Sequence, residues 1–123
     1  MTKTQALHQF FSSFGLKAYE ENSVPDLTTL PYLTYTNEID SLNHDCMIIC
    51  NLWYRSTSWK EILEKADEIA RRVKSHGHVS IPFDGGYLYI KHVLPFAQTM
   101  EEPSDKMIRR VYINITVEYL SSY

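Results

Sequence analysis

Residues 46–73 constrain the fold more than any other stretch, because an apolar run, CMIICNLWYR, passes through Ser-Thr-Ser directly into WKEILEKADEIARRV. In the second half Trp59, Ile62, Leu63, Ala66, Ile69, Ala70 and Val73 recur at the three-and-four spacing of a single helical face. That face has to be buried. Ser58 with Glu61 three residues on predicts a capping box at the helix start, and Gly77 predicts its stop. Glu61 and Glu64 lie early and Arg71, Arg72 and Lys74 late, as the helix dipole favours, with Asp67/Arg71 and Glu68/Arg72 as acid-first pairs. Every charge falls off the apolar face, so the charges read as a solvated surface and not as a site.

The run before the helix alternates. Cys46, Ile48, Cys50, Leu52 and Tyr54 share one side, and Met47, Ile49, Asn51, Trp53 and Arg55 the other. Both sides are mostly apolar, which predicts a central strand covered on both faces or facing a partner subunit. Cys46 and Cys50 would lie about 13 Å apart at ~3.3 Å per residue, too far for a mutual disulfide, and read as small core residues. Residues 107–120 form the longest predicted strand, with Val111, Ile113, Ile115, Val117 and Tyr119 inward and Arg110, Tyr112, Asn114, Thr116 and Glu118 outward. Residues 79–83 and 87–93 flank Asp84-Gly85-Gly86, a hairpin signal, with Pro82 marking an edge or bulge.

Upstream, Leu7, Phe10, Phe11 and Phe14 predict a short helix after Thr4 that stops at Gly15 and docks its Phe stripe on the sheet. Residues 17–19 suggest a brief strand, Pro31 opens another (YLTYTN), and residues 38–45 turn the chain. Two long loops are expected, at residues 20–30 and 94–106. The fold class expected is α+β: a mostly antiparallel sheet of about five strands, with one long amphipathic helix and a short N-terminal helix packed on one face.

With 123 residues the chain fits a single domain, 1–123. Nine tyrosines tilt the composition towards strands and interfaces. A net charge of −3 lacks the electrostatic footprint of a protein that grips duplex backbone. The N-terminus has no apolar run of signal-peptide length, and nothing reaches the roughly 18 apolar residues of a membrane span, so a cytoplasmic site of synthesis and no membrane partner are expected.

Chemical motifs are weak. His76 and His78 are two ligands without a third, Ser56 and Ser58 lack a nucleophile elbow, Asp84-Gly85-Gly86 is followed by a strand and no Lys-Ser/Thr, and Glu101-Glu102 reads as solvated acids. The expectation is no enzyme, no cofactor and no metal.

Five motifs stand out instead: Pro-Tyr-Leu-Thr-Tyr (31–35), Trp-Tyr-Arg-Ser-Thr-Ser-Trp (53–59) with its helix, Gly-Gly-Tyr-Leu-Tyr-Ile (85–90), Pro-Phe-Ala-Gln (95–98) and Arg-Arg-Val-Tyr-Ile-Asn (109–114). In this order and at this length the chain resembles the small tail-terminator, tail-completion or minor capsid (head–tail joining) proteins of tailed bacteriophages and prophages. The resemblance implies a non-enzymatic virion protein, made in the host bacterial cytoplasm, that forms a ring, usually hexameric, at the end of the tail tube. It would bind the tail tube protein and a head-side connector protein, and DNA would pass through without being held. A head-side connector or adaptor shares the same ring logic, and a small ligand-binding α+β module is the rival of a different class. A ring needs two complementary patches. The candidates are the outward aromatic side of the sheet (Trp53, Tyr112) on one subunit and a docking arm (Pro95, Phe96, Gln98, Met100) on its neighbour. The acidic loop with Glu20, Glu21 and Asp26 is expected to face the lumen or the tube.

Overall fold

A computed structural model describes residues 1–38 and 45–121, apart from the side chain of His76. The expected turn at residues 38–45 falls almost wholly outside the described residues. In chain order the elements are α1 (Lys3–Ser12), β1 (Lys17–Glu20), β2 (Tyr32–Tyr35), β3 (Asp45–Arg55), α2 (Lys60–Lys74), a 3-10 turn (Ser75–Gly77), β4 (Val79–Phe83), β5 (Gly86–Glu101) and β6 (Ile108–Ser121).

The six strands form one sheet in the order β1-β2-β3-β6-β5-β4. This overturns the expected architecture of about five mostly antiparallel strands beneath one long helix and a short one. β1 and β2 pair in parallel while the remaining neighbours are antiparallel, so the sheet is mixed; it curls into a half-barrel with two short helices. The difference has two physical sources. The parallel pair joins two four-residue strands across an eleven-residue connection, a contact that leaves no local pattern. Residues 94–101, expected as loop because of Pro95 and their polarity, are instead the second half of β5, whose bulge between His92 and Ala97 accommodates the cis Leu94–Pro95 peptide.

β3 and β6 form the centre. Their register places Ile48 opposite Ile115, Cys50 opposite Ile113 and Leu52 opposite Val111, all buried, while the odd-numbered residues of β3 and even-numbered residues of β6 stay at least partly open. Thus β3 is covered on one face only. α2 buries Ile62, Ala66, Ile69 and Val73 against that inner face. Its start differs in detail from the expected box: Trp59 holds the N-cap position, and the Ser58 hydroxyl accepts from the Lys60 N–H at 3.1 Å. Gly77 takes φ +85°, which a side chain would oppose, as the chain leaves the helix for β4.

α1 begins earlier than expected, capped reciprocally by Thr2 and Gln5. It contacts both β1 and β4, the two end strands, and so spans the open side of the half-barrel. Phe11 stacks on Tyr35 with centroids 4.6 Å apart, and Phe10 meets Phe11 and Phe14 edge-on. At the far end the Met1 carbonyl accepts from the Asp84 N–H at 2.7 Å and its ammonium donates to the Asp84 carboxylate at 2.8 Å.

Candidate interface on the outer sheet face

Pleating sends alternate side chains to the outer face, and the register lines them up across five strands: Lys17, Tyr32, Trp53, Arg110 and Met100 form one row, and Tyr19, Thr34, Asn51, Tyr112 and Gln98 the next. Tyr19 meets Tyr32 edge-on at 5.8 Å, Tyr32 lies over Trp53 at 6.4 Å, and the Arg110 guanidinium lies over the Trp53 ring at 5.2 Å. The Trp53 indole N–H donates to Thr34 Oγ1 at 3.0 Å. A cation over an indole face and a chain of ring contacts link the band across the strands. Within it the Arg110 Nε and Asn51 Oδ1 atoms are buried among the neighbouring side chains.

The two patches expected on different subunits therefore converge on one face. Trp53, Tyr112, Gln98 and Met100 are neighbours in the sheet, and Pro95 sits just beyond them, its carbonyl accepting from Asn114 Nδ2 at 3.1 Å. Phe96 does not join them. It is 9% exposed and packs under the Lys74 ammonium, so it belongs to the core and not to an arm. The acidic residues also separate. Glu20 closes β1 and its carboxylate accepts from the Asn22 N–H, Asn22 Nδ2 and Ser23 Oγ, whereas Glu21 and Asp26 are exposed in the connection to β2.

The chain matches no family model, no curated protein and no solved structure.

Concavities lie elsewhere, two of them beside β1. One of 840 Å³ runs between α1 and β1, where Ser12 Oγ, His8 and the Tyr35 hydroxyl form a chain of contacts at 3.1 and 3.0 Å. Burial, then the negative charge of Glu20, pushes the Tyr35 phenol up from its ordinary value, so it remains a neutral hydroxyl in this chain. A second, of 630 Å³, lies between residues 15–19 and 25–31 and includes Asp26. Among the described residues no group of three or more His, Cys, Asp and Glu is placed to hold a metal ion. Cys46 and Cys50 are buried and not joined to each other. No described helix is long and apolar enough to cross a membrane. The outer band was half legible from the alternation of β3 and β6. Its members Tyr19, Tyr32 and Arg110 were missed because only the strand order brings them beside Trp53.

Proposed function

We propose that this chain is a non-enzymatic structural protein of a tailed bacteriophage or prophage, one that assembles into a ring at the end of the tail tube and joins tail to head. The observation that carries the reading is the aromatic band: it crosses five strands on the face that neither helix covers, and a band with Tyr, Trp, Arg and Met at its centre has the composition of protein–protein contact surfaces. The motif order gives the class of assembly. In that assembly the exposed Glu21 and Asp26 add negative charge to the lumen or tube side, over which DNA slides instead of binding.

The test is the mass of the purified protein by light scattering over a concentration series, followed by electron microscopy of the assembled fraction. The expected result is a discrete multiple of 14.4 kDa that appears as closed rings, with Trp53→Ala reduced to monomer while its circular dichroism is kept. A chain that stays at 14.4 kDa throughout, with or without isolated tail tubes, would overturn the proposal.

A further inference from the structure

The sheet has one end strand that is short and one that is incomplete. β1 has four residues and no strand beyond it among the described residues. On the other side β4 pairs only with Gly86 to Ile90, so from Lys91 to Glu101 β5 has β6 on one side and no described strand on the other. The bulge and the cis Leu94–Pro95 peptide blunt the first part of that edge. Residues 97–101 then run straight, in unbroken register with β6, and Ala97, Gln98 and Thr99 are exposed. Unpaired backbone groups along such an edge are a template for another strand.

We infer that β1 of one copy adds antiparallel to residues 97–101 of the next, continuing the sheet from subunit to subunit. The inference rests on the self-association proposed above and names its contact. Strand direction supports it. β1 runs with β2, against β3, with β6 and against β5, so a neighbour related head to tail brings its β1 alongside β5 in the opposite direction. The side-chain faces then select the register. Lys17 and Tyr19 point outward with Tyr32 and Thr34; Gln98 and Met100 point outward with Tyr112 and Arg110. Only one antiparallel alignment matches these faces and keeps all four β1 residues within 97–101: Lys17 opposite Met100, Ala18 opposite Thr99, Tyr19 opposite Gln98 and Glu20 opposite Ala97. It also joins the outer bands, since Met100 of one copy lands at the Tyr19/Tyr32 end of the next, a favourable sulfur–aromatic arrangement.

Directly opposed residues in an antiparallel pair lie about 4.5–5.5 Å apart at Cα, within disulfide range. The experiment mixes Lys17→Cys with Met100→Cys protein under mild oxidation; the native Cys46 and Cys50 are buried and give little background. The expected result is a shift of both variants to a covalent heterodimer on non-reducing gels, with each variant alone remaining at chain mass. Tyr19→Cys mixed with Gln98→Cys gives the same answer if either first variant misfolds. Assembly seen by light scattering without heterodimer, or with Met100→Cys cross-linking only to itself, overturns this contact while leaving self-association standing. Loss of assembly in the unmodified protein overturns both.

Discussion

Truncating Phe11 tests the role of α1 in closing the half-barrel. The ring is 1% exposed, stacked on Tyr35 at 4.6 Å and edge-on to Phe10 at 5.1 Å, at the point where the helix crosses towards the β1/β2 end of the sheet. Phe→Ala at a buried site costs about 3–5 kcal/mol, of which the two ring pairs account for ~0.5–1.5 kcal/mol each. A figure of about 4 kcal/mol is a large share of the 5–15 kcal/mol that holds a domain together. With a urea slope of about 1.5 kcal/mol/M the unfolding midpoint should fall by roughly 2–3 M, whereas Phe11→Leu, which keeps most of the volume, should lower it by under about 1 M. The Tyr35 phenol should also titrate closer to its ordinary value, because the helix contributes to the burial that pushes it up. A midpoint shift below about 0.5 M for Phe11→Ala would refute the reasoning, since it would mean that α1 adds little to the core beneath it.

Three further outcomes are expected. Ile69, 1% exposed on α2, becomes a buried unpaired charge in Ile69→Asp, and the variant should show no cooperative thermal transition; a normal melt would remove α2 from the core. In Gly86→Ala the new Cβ would meet the Leu120 carbonyl oxygen at 1.9 Å, forcing the β5–β6 pair apart at a cost of about 1–3 kcal/mol, to be read from the melting temperature. The Asp105 carboxyl is held below its ordinary value by the Met107 N–H and then by Arg55. A carboxylate with a depressed folded value stabilises its turn above the unfolded value of 3.8 and stops doing so as pH falls through the lower folded value, so the Met107 amide should lose exchange protection only below pH 3.8 and Asp105→Asn should abolish that step.

What the sequence disclosed was periodic. α2 and the inner faces of β3 and β6 follow directly from spacings of 3.6 and 2, because a buried face repeats along its own element and each repeat is visible within a few residues. The distal half of β5 carries no such signal. An open edge strand has little to bury, so Gln98, Thr99 and Glu101 read as loop, and Pro95 reads as a breaker when it sits in a bulge. Phe96 was misplaced for the same reason: without a strand to carry it inward, a lone aromatic among polar residues reads as exposed. The half-barrel itself comes from pairings between distant segments, above all β1 with β2 and the contact of α1 with both sheet ends. The band around Trp53 was therefore only partly visible, for two of its rings lie on β1 and β2 and its cation on β6.

The position of α1 also sets an order in time. Its resting place is made by β1 and β4, and Met1, just ahead of it, is fixed to Asp84 by a hydrogen bond that spans 83 positions in sequence. On a ribosome the Phe-rich stripe emerges ahead of the strands, at about 5–20 residues per second, and its seat does not exist until β4 has been made. β6, which lies between β3 and β5, comes later still. The segment that closes the fold is thus made before every strand that shelters it, so its burial waits on distant contacts, and until they form the Phe stripe is exposed apolar surface of the kind that favours aggregation.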